Sequence, residues 1–172
     1  YSAISYQDVA DAMGIRKASI HYHFATKEDL GVAVIDRYAD RFAQVLAALA
    51  DDEALTTLGT LDEYFMAYIE FAETPDRVCL CGALAGEILA LPVPMRLKVK
   101  QFFGVHLDWL ERIVQRGIEQ REFQAEVDAG KMAKLIFGSM QGALLVKRTT
   151  DDASQLYETI DALKRLFTAR AV

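Results

Sequence analysis

A chain of 172 residues, 52% of them hydrophobic and 26% charged, is long enough to bury one large core or two small ones. No apolar run reaches the roughly 20 residues a membrane-spanning helix needs, the opening YSAIS has neither a basic start nor an apolar stretch, and two cysteines do not make a secreted disulfide framework. A net charge of −6 excludes a globally basic nucleic-acid binder, not a small segregated footprint of cations and donors. These features predict a cytoplasmic protein without a membrane segment.

Ser5 is a good N-cap, and Val9, Ala12 and Met13 follow at helical spacing, with Ala10 allowing close packing. Gly14 supplies the left-handed residue that ends such a helix, and Ile15 is expected to plug the angle to the next. A second helix over 16–23 turns Ile20 and Phe24 inward and leaves Lys17, Ala18, Ser19, His21 and Tyr22 outward. That face carries donors, an aromatic ring and a small residue, which suits base edges and phosphates. Thr26 caps a third helix with Asp29 as box partner, and Lys27 in its first turn can reach a phosphate. Helix, glycine turn, helix is the helix-turn-helix layout, whose second helix enters the major groove. Plain packing of a short helical pair is the alternative.

The run DVADAMGIRKASIHYHFATKEDL resembles the signature of the TetR family of bacterial repressors. The matching positions are Asp8, Val9, Ala10, Gly14, Ile15, Lys17, Ile20, His23, Phe24, Lys27, Glu28 and Leu30, and the likeness covers Tyr1 to about Arg41 at motif level. It implies that Ser5, Gln7, Lys17, Ala18, Ser19 and Tyr22 approach bases or nearby backbone, and that His21, His23 and Lys27 contact phosphates. Arg16 stands where a serine cap is common, Ala18 where glycine is, and His21 where tyrosine is, so the operator sequence is not readable from these positions. The family also carries a helix ahead of the position of Tyr1, and because Val9, Ile20 and Phe24 would otherwise lack a cover, the chain is expected to be a shortened form of a longer one; absence of that helix is the alternative.

The third helix is expected to run from Lys27 to about Leu49 with Leu30, Val34, Tyr38, Phe42, Val45 and Leu49 along one stripe. Asp51, Asp52, Glu53 and then TTLGT read as a linker. The division expected is a helix-turn-helix head with its connecting helix over 1–48 and an effector-binding and dimerisation body over 49–172. In the body, Leu61 to Glu73 places Leu61, Phe65, Tyr68, Ile69 and Ala72 on one face, and Thr74-Pro75-Asp76 stops it. Cys79 to Leu91 is almost wholly small or apolar and is expected to thread the centre of the body. Met95 to about Gln120 forms the longest body helix, with Val99, Phe102, Phe103, His106, Leu110, Ile113, Val114 and Ile118 as its core stripe. Arg121-Glu122-Phe123 leads to a loop, and Asp128 or a neighbour opens the next helix.

That helix, Val127 to Arg148, is apolar on more than one face through Met132, Leu135, Ile136, Phe137, Met140, Leu144, Leu145 and Val146, and Gly138 and Gly142 allow close approach. The last helix, from about Ala153 to Ala169, presents Leu156, Ile160, Leu163 and Phe167, with Tyr157 and Leu166 beside them. Paired across two subunits, these helices make the four-helix homodimer interface that the resemblance implies. Filling one monomer's core is the alternative use.

For an effector, Phe65, Tyr68, Ile69, Phe102, His106, Trp109, Phe137, Met140 and Gln141 combine aromatic walls with a few polar groups, the chemistry of a site for a small hydrophobic or aromatic molecule. Core packing is the competing reading for each. Cys79 and Cys81, near a helix start and with Arg77 close in sequence, offer a thiol-based redox or electrophile sensor instead. His21 and His23 diverge on a helix and nothing completes a metal site, and there is no HExxH, nucleophile elbow or phosphate-binding glycine loop. No cofactor is expected. A helical enzyme using Trp109, His106 and the cysteines, or a protein-binding module without DNA contact, are the rival classes. The expectation is an all-α, ligand-responsive homodimeric repressor that binds double-stranded operator DNA and is not an enzyme.

Overall fold

A computed structural model describes residues 1, 3–74 and 77–168. Among them the chain is all-α: α1 (Tyr6–Met13), α2 (Lys17–His23), α3 (Lys27–Asp51), α4 (Thr57–Glu73), α5 (Leu80–Gly86), a 3-10 turn at Ile88–Ala90, α6 (Val93–Glu119), α7 (Ala129–Thr150) and α8 (Ser154–Phe167). The only extended pairing among the described residues is an isolated bridge from Phe123 to Thr168. Packing divides the chain into two compact units, each drawing on two stretches: Tyr1–Arg41 with Leu80–Phe102, and Phe42–Cys79 with Phe103–Val172.

In the first unit, α1 is held at both ends. The Ser5 hydroxyl accepts from the Asp8 amide at 3.2 Å while the Asp8 carboxylate accepts from the Ser5 amide at 2.7 Å, and Gly14 closes the helix at φ 66°. The expected Thr26–Asp29 box forms in the same way at the start of α3. Tyr6, Ala10 and Ile20 make the head's core, with Val9, Phe24 and Leu30 packed against it. Met13 and Ile15 do not join it: they are exposed, as is Ala12. Further on, Gly31 lets α3 and α6 approach closely, since a Cβ there would sit 2.6 Å from the Met95 sulfur.

The buried line of α3 runs through Ile35 and Leu46, while Val34 and Val45 are about half exposed. Apolar residues cover more than one face of this helix, so periodicity alone chooses the stripe only to within one position. The segment Cys79 to Leu91 departs further from expectation. It is a seven-residue helix that ends at Gly86, followed by a 3-10 turn whose Leu89 is 86% exposed. Gly86 and the coming Pro92 prevent a continuous helix, so the segment does not thread the body, and Leu80 onward packs with the first unit. Arg96 ties the turn down by donating to the carbonyls of Leu91 (2.6 Å) and Leu89 (3.0 Å).

In the second unit, TTLGT is not a linker but the cap and first turn of α4. Thr56 accepts from the Gly59 amide at 3.0 Å, and the Glu122 carboxylate accepts from the Thr57 and Leu58 amides, both at 3.0 Å. The amides left unpaired at a helix start are thus satisfied in part by a residue far along the chain. Thr57 and Thr60 are fully buried, their hydroxyls bonded to Gln120 and to the Thr56 carbonyl. Leu61, Phe65, Tyr68 and Ala72 face inward as expected, joined by Tyr64. α4 ends at Glu73 with Thr74 as its C-cap, and the Pro75 and Asp76 expected to stop it lie outside the described residues, as does Ala169 beyond α8.

α6 begins at Val93, two residues before its expected start, because Pro94 in the first turn sacrifices no helical hydrogen bond. Of its expected stripe, Val99, Phe102, His106, Leu110, Ile113 and Val114 are buried and Phe103 and Ile118 half-buried, Trp109 is buried as well, and Gly117 receives the Phe123 ring where any Cβ would overlap it. Asp128 caps α7 by accepting from the Lys131 amide at 2.9 Å. On α7, Ala133, Ile136, Phe137, Met140, Ala143 and Leu144 are buried, whereas Leu135, Leu145 and Val146 are exposed and nothing lies within 4 Å of a Cβ built at Gly138 or Gly142. On α8, Leu156, Ile160, Leu163 and Phe167 are buried and Leu166 and Tyr157 exposed.

Replacing Glu122 with alanine removes two charge-assisted bonds at the start of α4 and should lower unfolding free energy by about 2 kcal/mol in urea titrations. Glu122→Gln, which keeps the acceptor, should lose less.

Candidate nucleic-acid interface and effector site

The residues expected to meet DNA gather on the head's surface. Around α2, Lys17, Ala18, His21 and Tyr22 occupy one arc, with Ser19 and His23 flanking it and Ile20 turned to the core, which follows from the 100° step between helical residues. All except Ile20 are exposed, and Tyr22 is 86% exposed. From Ala12 to Lys27 the sequence holds no carboxylate, so Arg16, Lys17 and Lys27 dominate the local charge in an acidic chain. The His21 ring stands edge-on to Tyr6 with centroids 4.5 Å apart, and Tyr22 stands edge-on to His23 at 5.1 Å.

Three of the expected contacts are engaged within the protein. The Ser5 hydroxyl serves as the α1 cap, the Gln7 amide donates to Asp11 at 2.8 Å, and the half-buried Lys27 ammonium donates to the Tyr1 carbonyl at 2.6 Å and sits 4.3 Å from the Tyr1 ring centre. Tyr6 is absent from the expected sets, although an aromatic directly after an N-cap and four residues before a buried alanine is a core signal.

Within the second unit, aromatic and polar side chains converge around Tyr64 and His106. The Tyr64 hydroxyl lies 3.0 Å from that of Tyr68 and 3.4 Å from Nδ1 of His106, and the Gln141 amide donates to Tyr68 at 3.3 Å and to the Cys79 sulfur at 3.6 Å. Phe137 flanks His106, and Trp109 stacks on Tyr64 with centroids 5.2 Å apart. Burial, followed by the neighbouring Tyr68 and Cys79, pushes the Tyr64 phenol well up, and burial does the same to Tyr68. Burial lowers His106 to about 4, so the imidazole is neutral at pH 7. The result is an uncharged hydrogen-bonding cluster walled by aromatic rings.

Of the expected effector residues, Tyr68, His106, Phe137 and Gln141 therefore meet directly. Trp109 joins them by its ring but commits its N–H to the Leu46 carbonyl at 2.6 Å. Phe65 and Met140 are buried in the same unit and Ile69 is half-buried. Phe102 belongs to the other unit, where its ring lies 5.5 Å from Tyr38. Tyr64, at the centre of the cluster, went unread although its i, i+4 relation to Tyr68 signals a shared face. Cys79 and Cys81 are buried, and Arg77, expected to activate them, pairs with Glu70 at 2.7 Å. Among the described residues no group of three metal-ligating side chains occurs, and no helix is long and apolar enough to cross a membrane.

Comparison with known proteins places both halves. Residues 1–34 match the family model described as bacterial regulatory proteins, tetR family, and residues 54–163 match the tetracyclin repressor-like C-terminal domain. The transcriptional regulator AcuR of Cereibacter sphaeroides is 30% identical over 154 residues, spanning 84% of this chain and 67% of that protein. Among solved structures, a TetR transcriptional regulator from Legionella pneumophila is 31% identical with a TM-score of 0.87, covering 98% of this chain and 88% of the other. A TetR-family regulator from Agrobacterium tumefaciens is also 31% identical, with a TM-score of 0.89 and coverage of 97% and 88%.

Because His106 protonates below about 4 when folded and near 6.5 when unfolded, its contribution is complete above pH 6.5 and is lost as pH falls toward 4. The loss amounts to about 3 kcal/mol. Urea unfolding of wild type and His106→Gln between pH 7 and pH 4.5 should show the shallower pH dependence in the variant.

Proposed function

The chain belongs to the TetR family of bacterial regulatory proteins, and from that membership we propose a repressor whose α2 lies in the major groove of its operator and which a small hydrophobic or aromatic effector releases. It is a DNA-binding transcriptional regulator and not an enzyme, and regulators of this family bind operator DNA and dimerise. The observation that carries the recognition reading is the outward arc of α2, where Lys17, Ala18, His21 and an 86% exposed Tyr22 form a carboxylate-free face over a packed core. Set beside cations, the Tyr22 side chain offers a hydroxyl and a ring to a phosphate, a sugar or a base edge. In this reading Ser19 and His23 flank the contact, Ser5, Gln7 and Lys27 approach the backbone, and Lys27 exchanges its Tyr1 partner for a phosphate.

The functional division is a head over 1–48 and a body over 49–172, a reading supported by family matches to 1–34 and 54–163. The homodimer is proposed to form through α7 and α8. Leu135, Leu145 and Val146 with Tyr157 and Leu166 provide exposed apolar surface, and the open faces of Gly138 and Gly142 would let partner helices approach closely. The effector is proposed to enter the neutral cluster of Tyr64, Tyr68, His106 and Gln141. A bound effector would then bias the tilt of α3, whose residues are shared between the two units, and so the spacing of the paired heads. The working location is the cytoplasm. Burial of both thiols and the pairing of Arg77 lend the thiol-sensor reading no support.

A genomic-fragment selection with the full-length protein would supply the operator. Fluorescence anisotropy on that duplex should then show Tyr22→Ala binding roughly ten- to a hundredfold more weakly with an unchanged melting temperature. Equal binding by the variant would refute the recognition assignment. Leu145→Glu should shift the protein from dimer to monomer in light scattering.

A further inference from the structure

The helix assigned to the groove is too short to hold its own position. α2 has seven residues, well under the length of about 12 at which isolated helices begin to persist. Its N-cap, Arg16, makes no side-chain hydrogen bond to the first turn, and Ile20 is its one buried residue. The opposite end is held from another helix. The carbonyl of Phe24, the C-cap, accepts from the Tyr6 hydroxyl at 3.0 Å. The same tyrosine sets its ring against His21, with centroids 4.5 Å apart and planes at 74°.

Tyr6 is well placed to transmit position. It is 7% exposed and lies in one core cluster with Ala10 and Ile20. The helix that carries it is capped by the Ser5–Asp8 box at one end and by Gly14 at the other. A fixed phenol thus restrains the last turn of α2 through its hydroxyl and the His21 side chain through its ring. Tyr22 follows His21 directly, so any shift of that turn displaces it.

We propose that Tyr6 is a positioning residue for operator recognition, setting where α2 presents His21 and Tyr22 without itself reaching the DNA. The inference rests on reading α2 as the recognition helix. Its signature is selective. Sequence-independent binding depends on the number of phosphates neutralised, which a small displacement of α2 leaves alone. Base readout depends on donor and acceptor alignment in the groove, which the same displacement spoils.

The test uses full-length Tyr6→Phe, which keeps the ring and removes only the hydroxyl. Anisotropy is read on the selected operator and on a scrambled duplex of equal length and composition. The operator Kd should rise about tenfold, while the scrambled-duplex Kd, its salt dependence and the far-ultraviolet circular dichroism stay as in wild type. Tyr6→Leu, which also loses the ring, should weaken operator binding further and move the His21 ring-proton resonances. Unchanged operator affinity in Tyr6→Phe, or an equal loss on both duplexes, overturns the proposal. Tyr22→Ala in parallel separates the failures. If it loses operator binding while Tyr6→Phe does not, only the positioning role falls. If both bind normally, the recognition reading falls with it.

Discussion

Helix ends are the constraint on which the larger unit depends. Each end leaves backbone amides or carbonyls without an internal partner, and burying them unpaired costs as much as several good contacts contribute. Here α6 and the turn after it supply the partners for two neighbours at once. Arg116 donates to the Ala50 carbonyl in the last turn of α3 and Glu122 accepts from the Thr57 and Leu58 amides at the start of α4, while Trp109 adds a bond to the Leu46 carbonyl, which lies inside the α3 helical ladder. Arg116 reaches the buried Thr60 hydroxyl as well. These side chains define where α3 ends and α4 begins, and so where the aromatic face of α4 points.

The neutral polar cluster is a consequence of that placement. With α4 set, Tyr64 and Tyr68 turn toward His106 on α6 and Gln141 on α7, and burial keeps His106 neutral beside groups that carry no charge at pH 7. A neutral cluster inside aromatic walls favours recognition by hydrogen bonds over capture by charge. The head solves a different problem with less material. Its proposed recognition surface is a seven-residue helix held by one buried isoleucine and one tyrosine hydroxyl, which leaves nearly every other α2 side chain available to a partner.

Much of this was legible in the sequence, and the reason is locality. Ser5 with Asp8, Thr26 with Asp29, Asp128 and the left-handed Gly14 act within three or four residues, and each does in the structure what its position predicts. The outward arc of α2 was readable for the same reason, since Ile20 alone selects the opposite face. Tyr6 and Tyr64 were missed because an aromatic on a helix announces burial and says nothing about which polar atom its hydroxyl will meet.

By itself, then, the sequence determined the all-α class, the helix-turn-helix head and the family, because caps, glycine turns and a dense local motif are short-range information. Tertiary structure decided what depends on a distant partner. It chose Ile35 and Leu46 over Val34 and Val45, turned TTLGT from linker into helix through Glu122, cut Cys79 to Leu91 into a short helix and a turn, and brought Tyr64, His106 and Gln141 together. A helix with apolar residues on several faces has several equivalent ways to pack, and only the element that arrives against it selects one.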